Sequence, residues 1–253
     1  RAMGRRVIIR LGLLPVLKRI RHHFRKQVHP VVNVSEISYQ PPYQLGHPEI
    51  QPERRVVILT YTFFDFDGNV LYAGGAERYV LEMADLIREL GYFPEVYQCG
   101  NGYWVRYYRD LRVTGIDVGD DAARLPEAYS RLPHAAVLTI FSPFSLAVPV
   151  EGAALGISHG VFWDYSDFQA NLPAMQTVLH ACRHLDTVVS VDTNTINWVR
   201  ANAAGLAEKF VYVPNFVDVD VFTPSPQLPS PNGRGEGGEG LVILYPRRLY
   251  RPR

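Results

Sequence analysis

The sequence predicts an open, mostly parallel, Rossmann-like α/β sheet with helices on both faces, spanning residues 55–222. Three observations point there. Apolar runs of strand length recur without polar alternation, the pattern of strands covered on both faces. Helix-length segments fall between them. A glycine pair in "YAGGAERYVLEMADLIRELGY" stands after the first strand and before an amphipathic run, where sheets of this class bind ligands.

Taken in order, "RVVILTY" opens the domain as a buried strand, and the glycine-led helix follows it. "PEVYQCG" is a second strand and "RVTGIDV", after an aromatic segment, a third. "LPEAYSRL" reads as a short helix, then "AAVLTIF" and "GAALGISHG" as strands. A helix over 169–184, a strand "DTVVSV", a helix over 193–203 and a strand "KFVYVP" complete the series. The span is an ordinary domain size.

Of the 253 residues, 47% are apolar and 20% charged, a globular balance with a real core. The net charge of +1 conceals an uneven layout. Residues 1–30 carry nine Lys/Arg and no acid, leaving the rest mildly acidic. Cys99 and Cys182 lie far apart without a paired motif, which argues against a disulfide scaffold or cysteine zinc site and fits a reducing compartment. No apolar run is long enough to cross a bilayer, and no small-residue cleavage site marks a signal peptide.

In the basic head, 1–30, Ile9, Leu13, Leu17, Ile20 and Phe24 recur at helical spacing. Such a helix suits a protein face with its basic side solvated or, as the lesser alternative, an anionic lipid surface. Residues 31–54 read as a Pro-rich extended connector, and 223–240, "TPSPQLPSPNGRGEGGEG", as a Pro/Gly-rich linker. Residues 241–253 start what reads as a second domain, truncated at Arg253.

Three clusters could carry chemistry. At Gly74-Gly75 the first N–H groups of a helix could face an anion, or the pair could form a plain turn. The Gly-x-Gly-x-x-Gly spacing is missing and the second strand ends in Gln98-Cys99, without an acid for a ribose, so a nicotinamide site is not expected. Asp65 and Asp67 offer oxygen ligands for a divalent metal, or are simply two exposed loop acids. In "GISHGVFWDYSDF", His159 follows a buried strand and suits hydrogen bonding or proton transfer. Trp163, Asp164 and Tyr165 then offer an aromatic surface with a carboxylate for a polyhydroxylated ligand, unless Trp163 is core. Third, the arginines Arg247, Arg248, Arg251 and Arg253 could grip phosphate or form a solvated face.

Together these segments resemble the family 4 glycosyltransferases, which adopt the two-domain GT-B fold. "GGAERYVLEMADLIRELGYFPEVY", "ISHG", "VPNFVDVDVF" and "YPRRLY" resemble successive family motifs in order and spacing. The resemblance implies transfer of a sugar, with retention, from a nucleotide-diphosphate sugar to a glycan or lipid-linked acceptor. It implies no metal and no cofactor beyond that donor. Gly74, Gly75, Arg248 and Arg253 would hold the diphosphate, with Arg253 standing where a lysine is usual. His159 would be catalytic, at the transferred sugar, and Trp163, Asp164 and Tyr165 would face the acceptor. The expected setting is the cytoplasm, with no nucleic-acid partner; whether the basic residues 1–30 touch the inner face of the cell membrane stays open between the two readings of that head. The family's glutamate pair in the second domain has no counterpart before Arg253, so this chain alone is expected to be inactive. Two alternatives stand beside it: a GT-A-type transferase holding metal through Asp65 and Asp67, and a non-catalytic glycan- or partner-binding α/β module.

Overall fold

The structure, a computed structural model, describes residues 37–39, 52–72, 74–132, 135–161 and 168–215. The basic head, the linker 223–240 and residues 241–253 lie outside them. The strands are β1 (Ile37–Tyr39), β2 (Arg55–Thr60), β3 (Phe93–Gly100), β4 (Trp104–Tyr108), β5 (Leu111–Asp117), β6 (Leu138–Ser142), β7 (Ala153–Ser158), β8 (Thr187–Ser190) and β9 (Phe210–Tyr212). They form one sheet in the order β1-β4-β5-β3-β2-β6-β7-β8-β9. All neighbours from β5 to β9 are parallel. Numbered by chain order, those parallel strands run 3-2-1-4-5-6-7, the doubly wound arrangement with its reversal between β2 and β6. The predicted fold class is thus the observed one.

The apolar runs explain the layering. In β2, Val57 and Leu59 face one core cluster and Val56 and Ile58 the other. Each such fully buried side chain contributes about 1.5–3 kcal/mol by leaving water. Helix α1 (Gly75–Glu89) covers the second face through Tyr79, Val80, Met83, Ala84 and Ile87, a stripe at helical spacing. Helices α2 (Leu125–Ser130), α3 (Phe168–Arg183) and α4 (Thr193–Asn202) cover the first, through Leu125 and Tyr129, Val178 and Ala181, and Ile196 and Val199. Cys99 and Cys182 are free and buried, and burial pushes each thiol up to about 11. No helix among the described residues is long and apolar enough to cross a membrane.

Two segments hold structure that the sequence did not announce. The connector 31–54 contains β1, which pairs antiparallel with β4, and a 3-10 turn at Pro52–Arg54. The aromatic segment is β4 itself, a hairpin partner of β5. Its two-residue turn places Arg109 at φ 47° and Asp110 at φ 59°. Positive φ at both positions matches the right-handed strand twist. Such turns usually announce themselves with glycine, and this one does not.

Candidate functional site

The strand order reverses between β2 and β6, and sheets of this class form their ligand crevice at such a point, outside the carboxyl ends of the strands. Four neighbouring strands end there on a buried hydroxyl: Thr60, Ser142, Ser158 and Ser190. Thr60 lies beside Ser142 in the register, and Ser158 beside Ser190. A strand leaving the core must turn, and a short hydroxyl side chain can bond the turning chain while staying buried. Ser190 Oγ donates to Asp192 O at 2.7 Å, and Ser158 Oγ pairs with Thr195 Oγ1 at 2.9 Å. Ser142 Oγ pairs with His159 Nε2 at 2.9 Å.

Alternation places His159. Residues Ile140 and Ile157 face the core under α1, so Ser142 and His159, two positions on, face that side too. There the imidazole meets the Tyr79 ring of α1 edge-on, with centroids 5.3 Å apart. Burial pushes the Tyr79 phenol up to about 12. Desolvation lowers the His159 pKa, although part of the residue stays exposed. The imidazole is therefore favoured in its neutral form, held by one ring nitrogen and offering the other. Gly160, at φ +123°, lets the chain swing away, and a Cβ there would lie 3.1 Å from the Asp192 carboxylate. Asp192 caps α4 by accepting from Thr195 N at 2.9 Å.

Tyr79 also ties the crevice to the start of α1. Gly74 is the N-cap of that helix and Gly75 its first residue. The first intrahelical bond, Arg78 N–H to Gly74 O, is 3.2 Å long, so the N–H groups of Gly75, Ala76 and Glu77 precede it. The two glycines differ. A Cβ on Gly74 would collide with the Glu77 carboxylate, which folds back over the helix start. A Cβ on Gly75 would meet no described atom within 4 Å.

The loop between β2 and α1 is clamped by Gln98, which is fully buried. Its Oε1 accepts from Phe63 N and Phe64 N at 2.8 and 2.6 Å, and its Nε2 donates to Phe64 O at 3.0 Å. Asp65 and Asp67 build the same loop. Asp65 Oδ1 accepts from Asn69 N and Val70 N at 2.6 and 2.9 Å, and Asp67 Oδ1 accepts from Asn101 Nδ2 at 2.8 Å. Among the described residues, no group of three or more His, Cys, Asp or Glu could hold a metal ion.

Of the residues singled out in the sequence, His159 packs on Tyr79, one helical turn after Gly75, and Gly74 and Gly75 start that helix. Trp163, Asp164, Tyr165, Arg248 and Arg253 lie outside the described residues. Sequence reasoning passed over the hydroxyl row, although each member closes an apolar run: "VVILT", "LTIFS", "AALGIS" and "TVVS". Gln98 was noticed only for not being an acid. No protein-family model matches this chain and no curated protein matches it.

Proposed function

We propose that this chain is the acceptor-side domain of a glycosyltransferase that moves a sugar from a nucleotide-diphosphate donor to a glycan or lipid-linked acceptor. The observation that carries it is the Tyr79–His159 contact, which joins a glycine-led helix start to a strand-end histidine at the sheet reversal. As the glycosidic bond breaks, charge grows on the leaving phosphate, and the N–H groups at the start of α1 stabilise it. His159, neutral and braced by Ser142, donates or accepts a hydrogen bond at the transferred sugar. Gly75, with open space where a side chain would stand, leaves room for the diphosphate to approach. Arg248 and Arg253 supply the opposing cations in this reading, and Trp163, Asp164 and Tyr165 the acceptor surface. A cytoplasmic setting, with residues 1–30 against the inner face of the membrane, goes with it. The metal-dependent alternative loses support because Asp65 and Asp67 already serve the loop.

The test uses the full-length protein. Nucleoside diphosphates are titrated by calorimetry against wild type and Gly75→Val, and diphosphate release from a panel of nucleotide sugars is followed. Weaker nucleotide binding in Gly75→Val, with unchanged melting, is expected. Equal binding in both, or no release from any donor, would overturn the proposal.

The Glu77 carboxylate beside Gly74 favours a second reading, a non-catalytic module whose helix start is already covered by its own acid and whose carboxyl end takes a neutral glycan.

A further inference from the structure

The structure assigns a second, separate site: we propose that His180 and His184 chelate a late first-row divalent ion such as Zn²⁺, Ni²⁺ or Cu²⁺. The two residues stand four apart in the last turn of α3 and just beyond it, so their side chains share one face of the helix. Their Nε2 atoms converge to 3.2 Å, with ring centroids 4.8 Å apart. Two metal–nitrogen bonds of about 2.0–2.1 Å that meet at roughly 100° span about that distance. The imidazoles therefore already stand where a metal needs them, and the bond between them marks the position the ion would take. Binding shifts the shared proton to Nδ1 of the donor ring, which frees the second Nε2 lone pair. Water completes the coordination sphere.

The donor atoms, rather than the charges around them, select the type of ion. Lys209 lies close by, with its ammonium tied to the carbonyls of Cys182, Arg183 and Leu185 at 3.1, 3.3 and 2.6 Å. The two nitrogen donors disfavour Ca²⁺ and Mg²⁺, which demand oxygen, and leave ions that bond neutral imidazole strongly; the nearby ammonium weakens binding of any divalent ion without choosing among them. The site is remote from the crevice. Helix α3 runs about 24 Å back along the sheet, so the pair sits at the amino end of β8 while His159 sits at the carboxyl end of β7.

The experiment takes ¹⁵N-labelled full chain and adds substoichiometric Cu²⁺, reading amide line broadening residue by residue. Zn²⁺ affinity is then measured by calorimetry on wild type, His180→Ala and His184→Ala. Because His180 is exposed, its removal spares the fold. Broadening centred on residues 180–185, with Zn²⁺ affinity at least about tenfold weaker in each variant, is expected, since even partners behind a ligand matter that much. Broadening confined to other histidines, unchanged affinity in both variants, or an unaltered spectrum in excess metal would overturn the assignment.

Discussion

The two ends of the sheet both bury polar groups, and they do it differently. At the amino end, Glu95 lies between Arg55 and Arg112 at 3.8 and 3.9 Å, and Arg55 Nη1 also donates to Ala135 O at 3.4 Å. At the carboxyl end the buried groups are the neutral hydroxyls of Thr60, Ser142, Ser158 and Ser190, with the partly exposed His159 imidazole bonded to one of them. Buried charges are tolerable only with fixed partners, so the amino end is locked into its own ion pairs. A hydroxyl satisfied by one bond can exchange that bond for one to a ligand without leaving a charge stranded. The contrast shows why the same sheet can be rigid at one end and receptive at the other.

The largest expected effect tests the locked end. Glu95→Ala leaves the buried Arg112 and the half-buried Arg55 without their carboxylate and should lower stability by about 3–5 kcal/mol in urea unfolding. Ser190→Ala, which removes one neutral hydrogen bond, should lose only about 1 kcal/mol. Equal losses would erase the distinction between the ends.

At the receptive end the effect should fall on activity instead. His159→Ala in the full-length protein should lower turnover by about 10²-fold or more, with a melting temperature close to wild type because the residue is partly exposed. A large drop in melting temperature with unchanged turnover would make His159 a packing residue.

Glu77 sharpens the comparison further. Its carboxylate sits where the proposal puts a diphosphate. A charge at a helix start is worth about 0.3–1 kcal/mol, so Glu77→Gln should tighten nucleoside diphosphate binding about two- to fivefold while slightly destabilising α1. The non-catalytic reading expects no change in nucleotide binding.

How much of this was legible follows from local chemistry. Strands β2, β6, β7 and β8 were readable because burial on both faces leaves no polar alternation. Strand β4 was not, because Trp104, Arg106, Tyr107 and Tyr108 mix aromatic and charged residues and the Arg109-Asp110 turn carries no glycine. Strand β1 is only three residues long and sits among prolines. His159 was legible by its place after an apolar run. Its partner Ser142 was not, since the bond joins residues seventeen apart and exists only once β6 and β7 pair. Asp65 and Asp67 resembled ligands because loop-closing carboxylates and metal-binding carboxylates look alike until their partners are known.

The smallest effect concerns proton binding at the same histidine. Desolvation lowers the His159 pKa below its ordinary 6.5. As the pH falls past 6.5, the unfolded chain takes up a proton before the folded one does, so stability falls with pH across that window. The stabilisation is fully present above 6.5 and is lost as pH drops through the folded value. His184 contributes with the same sign, also through desolvation first, so the difference between proteins isolates His159. Urea unfolding at pH 7.5 and pH 5 should therefore show a smaller acid loss in His159→Gln than in wild type. Parallel losses would mean that water reaches the imidazole as freely in the fold as in the unfolded chain, and the carboxyl end would then be an open surface rather than a crevice.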